Sequence, residues 1–140
     1  MTPISRRRTL IAGLAAGLTF NIGGMASAGF LGLGEAFARF EIVPAGAGVV
    51  LHLALRFGIG LAGTYLYAGM TSHYGQGKYT ALRVGVAIWL IGYLPSLALL
   101  EEIGFLTGTQ ALLSSGWGLL EACAAIGVAA TVYRPTSQTP

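Results

Sequence analysis

Charge is the scarcest commodity in this sequence. Only 9% of its residues are charged, and aspartate does not occur at all. A soluble domain carries about 25% charged residues, so there is too little here to coat a water-facing surface. Cysteine is nearly absent as well. The single Cys123 rules out an internal disulfide and leaves no thiolate cluster for a metal. Proline is sparse, and within the long apolar stretches it occurs only as Pro95. Alternating apolar and polar positions, the mark of a membrane barrel strand, are missing too. So are the HExxH, CxxC, GxSxG and EF-hand patterns, and with them the common routes to metal, redox and serine-nucleophile chemistry.

What fills the space is apolar. The 140 residues are 54% hydrophobic, and the mean hydropathy is +0.71. Four apolar stretches run from about residue 9 to 33, 46 to 70, 79 to 100 and 104 to 133. Each reaches the roughly 20 residues that a membrane-spanning helix needs. The expectation is an all-α chain: an integral membrane four-helix bundle, forming a single domain with a short polar tail at 135–140. Its 22 glycines fit a membrane bundle, where they let backbones approach closely. No cofactor is implied. The basic residues sit at the ends of apolar segments, so the net charge of +3 is a topology signal and nucleic acid is not an expected partner.

Orientation follows from where those residues fall. Arg6, Arg7, Arg8, Lys78, Arg83 and Arg134 group on one side. Arg39 stands alone on the other, with Glu35, Glu41, Glu101 and Glu102. The positive-inside rule then puts both termini in the cytoplasm. The connections are short. Glu35–Pro44 is expected to lie along the interface as a turn or short amphipathic helix. Thr71–Lys78 is expected to be a tight polar loop. Within it Gly75-Gln76-Gly77-Lys78 lacks the spacing and preceding strand of a phosphate loop.

The start of the chain permits a second reading. Ser5-Arg6-Arg7-Arg8-Thr9-Leu10 resembles a twin-arginine export signal, and Ala26-Ser27-Ala28 resembles a signal-peptidase site. The apolar run continues past that site to Leu33. It exceeds the roughly 7–15 residues of a signal core, which favours a retained first helix.

Two charges remain inside the spans, Arg56 in the second and Glu121 in the fourth. At 1.5 Å per residue, Arg56 lies about 21 Å from Met70 and Glu121 about 18 Å from Tyr133. The two belong at one level, where an ion pair would keep both ionised. Asn21 and Tyr93 fall in the same layer, and His52 lies one helical turn from Arg56. The layer reads either as a clamp fixing helix register or as a solute, ion or proton site. His52 and His73 are too far apart to ligate one heme.

Small residues recur at four-residue spacing in Gly13, Gly17 and Asn21, in Ala54, Gly58 and Ala62, and in Ser114, Gly118 and Ala122. Such stripes serve packing within a bundle or an oligomer interface. Tyr65, Tyr67, Tyr79 and Tyr133 are placed as an aromatic belt would be. Pro95 is expected to bend the third helix.

One run is similar to a pattern in a known group. His73-Tyr74-Gly75-Gln76-Gly77-Lys78-Tyr79-Thr80-Ala81-Leu82-Arg83, followed by Trp89-Leu90, resembles small uncharacterised bacterial membrane proteins with four predicted spans. Gly17 and Asn21-Ile22-Gly23-Gly24 of the first helix resemble them too. The resemblance implies the span count and a bacterial origin, and brings no activity. The chain departs from small multidrug transporters, which carry an essential acid in the first helix, and from the polar signatures of small fluoride channels.

The function expected from all this is a non-enzymatic inner-membrane protein that works through the bilayer and partners, as a homo-oligomer or an accessory subunit of a larger complex. The alternative is a small solute, ion or proton transporter or channel built on the Arg56–Glu121 layer. An enzyme acting on lipid or quinone would have only His52, Arg56 and Glu121 to work with.

Overall fold

The computed structural model of the protein describes residues 5–42 and 46–133. Arg134, the tail at 135–140 and the stretch at 43–45 lie outside the described residues. Among those described there are helices and turns and no strands. The chain runs through α1 (Arg6–Phe30), α2 (Leu33–Arg39), α3 (Ala47–Tyr74), α4 (Lys78–Ile88), a π-helical turn (Trp89–Tyr93), α5 (Leu94–Glu102) and α6 (Gly108–Val132). Helix α4, the π turn and α5 form one continuous rod. Four helices are therefore long and apolar enough to cross a membrane: α1, α3, the α4–α5 rod and α6.

The helix ends have local causes. Helix α1 stops at Phe30, where Leu31 N–H closes on the Ser27 carbonyl and Gly32 takes a left-handed φ of +66°. That turn detaches Leu33, which starts α2 and does not extend the first span. Helix α3 runs through Thr71–Tyr74, residues expected in a loop. Its last carbonyls find partners beyond the helix: Gly75 N–H bonds to the Thr71 carbonyl at 3.1 Å, and the Thr80 hydroxyl donates to the Tyr74 carbonyl at 3.5 Å. The connection shrinks to Gly75-Gln76-Gly77, whose glycines adopt φ of +73° and +135°. Helix α6 begins at Gly108, four residues later than hydropathy suggests, because Thr107 and Gln110 form a reciprocal capping box. Pro95 lacks the N–H that the helical ladder requires. Just before it the ladder slips by one residue, with Leu94 N–H bonded to the Trp89 carbonyl.

The core is built of small residues, with Ala12, Ala16, Val84, Ala125 and Ala129 fully buried around Phe20 and Ile126. Helix α1 packs most extensively on α3 and α6, and α4 on α6. At the α1–α3 crossing the backbones themselves meet. A Cβ on Gly60 would lie 2.8 Å from the Gly13 carbonyl oxygen, and one on Gly17 would lie 2.8 Å from Phe57 Cα. Helices α4 and α6 meet in the same way at Gly85 and Cys123. Packing thins towards the end carrying Glu101 and Glu102. Helix α5 has no buried residue, and residues 47–55 of α3 are exposed throughout.

The tyrosines do not all form a belt. Tyr65 and Tyr79 point outward, whereas Tyr67 and Tyr133 are buried. Those two stack edge-to-face at 6.2 Å, and the Tyr67 hydroxyl accepts from Gly77 N–H at 3.2 Å. They pack the basic end of the bundle.

Candidate functional site: a polar layer across the bundle

The charged residues of α3 and α6 meet near the middle of the helices. Arg56 Nη1 donates to Glu121 Oε1 at 2.5 Å. The same nitrogen donates to the Phe20 carbonyl of α1, and Arg56 Nε donates to His52 Nε2 at 3.0 Å. The other carboxylate oxygen, Glu121 Oε2, accepts from the Tyr93 hydroxyl at 2.8 Å. One network thus touches α1, α3, the π turn of the α4–α5 rod, and α6. The Glu121 side chain is only 2% exposed and that of Arg56 14%. Buried charge persists in proteins when it is paired and hydrogen-bonded, and here both conditions are met.

Helix α1 leaves room for the pair. A Cβ on Gly23 would come within 2.6 Å of Glu121 Oε1, and one on Gly24 would enter the Arg56 guanidinium. Sequence reasoning misses these two glycines as site residues. Their signal was visible: adjacent glycines in mid-helix, where glycine weakens a helix unless something approaches closely. The Phe20 carbonyl left no such signal, since a backbone acceptor freed for a side chain is invisible in a sequence. Helix α6 makes similar room, as a Cβ on Gly118 would lie 2.5 Å from the Tyr93 ring.

The remaining candidates stand at the edge of the network. Asn21 lies at this level, but its amide donates to the Gly17 carbonyl at 2.9 Å and the Leu53 carbonyl at 3.5 Å, joining α1 to α3 without touching the ion pair. His52 is exposed and reaches the network only through Arg56. Two tryptophans flank the layer as further cross-links. Trp89 Nε1 donates to the Ser115 carbonyl at 2.9 Å, and Trp117 Nε1 to the Gly23 carbonyl at 3.2 Å. Among the described residues no group of three or more His, Cys, Asp or Glu side chains converges to hold a metal.

A partly open cavity of about 180 Å³ adjoins the layer on the side of Glu101 and Glu102. Glu121, Tyr93, Trp117, Ser114 and Ser27 are the polar residues among those around it. Five leucines from α2, α5 and the turns beside them, with Phe37 and Phe105, make the rest apolar. Phe37 and Phe40 of the α2 region pack on Phe105 at 5.5 and 5.2 Å. Gln110 Nε2 donates to the Gly32 carbonyl at 3.1 Å. These contacts seat α2 against the α5–α6 connection beside the cavity.

Four of the described helices have the length and composition of membrane spans, which is the architecture of a multi-pass membrane protein. No family model, curated protein or solved structure matches the chain.

Proposed function

We propose that the protein is a non-enzymatic component of the bacterial inner membrane that acts by association, as a homo-oligomer or as an accessory subunit of a larger membrane complex. The observation that carries this reading is the fate of the three small-residue stripes. Gly13 and Gly17 are used against α3, and Gly118 is used against Tyr93. Ala54, Gly58 and Ala62 carry the same spacing on α3, yet all three are exposed, and a Cβ on Gly58 would meet no other helix within 4 Å. Within this reading the Arg56–Glu121 network is the clamp that holds the four helices in register behind that face. Both ends of the chain are cytoplasmic, with Arg6, Arg7, Arg8, Lys78 and Arg83 as the positive-inside residues.

The test is Gly58→Leu in the full chain, purified in mild detergent. The expected result is loss of the oligomer, or of a co-purifying subunit, with the helix content of the folded chain retained. Retention of the same assembly would remove α3 as the interface.

A transporter reading is favoured by one observation: Glu121 and Tyr93 belong both to the network and to the cavity wall. It requires that a variant lacking both charges, Arg56→Leu with Glu121→Leu, be folded but inactive.

A further inference from the structure

We propose that the cavity beside the polar layer is a binding site for a neutral, ring-sized molecule bearing a hydroxyl or N–H group. This is independent of whether the protein works through a partner. Size sets the first limit. Cavities of about 150 Å³ accept benzene, so about 180 Å³ holds one six-membered ring with a substituent.

The polar part of the wall sets the second limit. Ser114 is more than nine-tenths buried, and its hydroxyl has no partner in the protein. Other helical hydroxyls in this chain satisfy themselves on their own helix. Those of Thr9, Thr19, Thr64 and Ser96 each donate to the carbonyl four residues back. Ser114 forgoes that bond, and a buried hydroxyl left unpaired is costly. Nearby, the Tyr93 hydroxyl donates its hydrogen bond to Glu121 Oε2 but can still accept. The Ser27 hydroxyl donates to the Gly24 carbonyl and can also accept. The residues around the cavity therefore include one hydroxyl without a partner and two hydroxyl oxygens able to accept, which is the complement of a hydroxyl or N–H group.

Charge sets the third limit. Glu121 is already neutralised by Arg56, so a cation finds no unmatched partner. An anion would face a carboxylate. The apolar body of the ligand would rest on Phe37, Leu97, Leu100 and Phe105.

The probes are 4-fluorophenol and its isostere 4-fluorotoluene, followed by fluorine NMR with the full chain in detergent. The expected result is saturable, protein-dependent broadening for 4-fluorophenol, with 4-fluorotoluene at least tenfold weaker. Ser114→Ala keeps the space and removes the hydroxyl, so it should shrink the difference between the two probes. Ser114→Leu fills the space and should abolish the saturable component. The proposal is overturned if neither probe saturates, if the wild-type protein does not distinguish them, or if Ser114→Ala leaves the difference intact. A folded Ser114→Leu that binds as wild type does would overturn it too. Should Ser114→Leu fail to fold, the Ser114→Ala comparison decides alone.

Discussion

At the scale of single residues, the molecule is governed by the expense of two charges. Insertion into a bilayer costs about 2.5–3.5 kcal/mol for a charged residue at a helix centre. Arg56 and Glu121 meet that cost by saturation: the guanidinium serves Glu121, Phe20 and His52, and the carboxylate also accepts from Tyr93. Removing one partner strands the other. Arg56→Leu and Glu121→Leu should each lower stability by about 3–5 kcal/mol, the usual loss when a buried pair is broken. The double variant should lose clearly less than the sum. A double-mutant cycle scored by unfolding in detergent checks this, and strict additivity would contradict the coupling.

At the scale of helices, glycine has two different jobs in α3, and two substitutions separate them. Gly60 lies in the crossing with α1, where an added Cβ meets the backbone of Gly13 and Gly17. Gly60→Ala should destabilise by about 1–3 kcal/mol, the common cost of overpacking. Gly58 faces away from the bundle, and Gly58→Ala should leave the stability of the isolated chain unchanged or slightly raised, since alanine favours helix. Unfolding curves of the two variants, recorded side by side in detergent, should differ in this order. Equal losses would mean that the helices cross elsewhere. The π turn belongs to this scale as well. It lies just before Pro95 and carries Trp89 and Tyr93, both of which bond to α6. A defect of the ladder thus sits where two polar cross-links are made.

At the scale of the whole molecule, the bundle has a basic and an acidic end. Arg6–Arg8, Lys78 and Arg83 belong to one, and Glu35, Glu41, Glu101 and Glu102 to the other. An enzyme reporter that works only in the periplasm, fused after Pro140, should be inactive, while a fusion in the Ile103–Thr107 connection should be active. The opposite pattern would invert the topology. Packing differs between the ends too, being close around Tyr67 and Tyr133 and open along α5. The cavity lies on the open side.

The order of residues was enough to specify a helical chain, four segments long and apolar enough to span a membrane, and one depth for Arg56 and Glu121. All of these follow from hydropathy and helical rise, which are sums along a chain and need no knowledge of neighbours. Direction around a helix axis was out of its reach. Three stripes with the same spacing were indistinguishable in the sequence, yet two pack inward and Ala54, Gly58 and Ala62 face out. Four tyrosines suggested one belt, yet Tyr67 and Tyr133 turned into the core. Asn21 shared the layer's depth but spent its amide on backbone carbonyls. Packing set these directions, because the facing of a side chain depends on which helices lie beside its own. For the same reason it alone revealed why Gly23 and Gly24 are glycines: the space that they leave is filled by side chains from α6 and α3, nearly a hundred and about thirty residues further along.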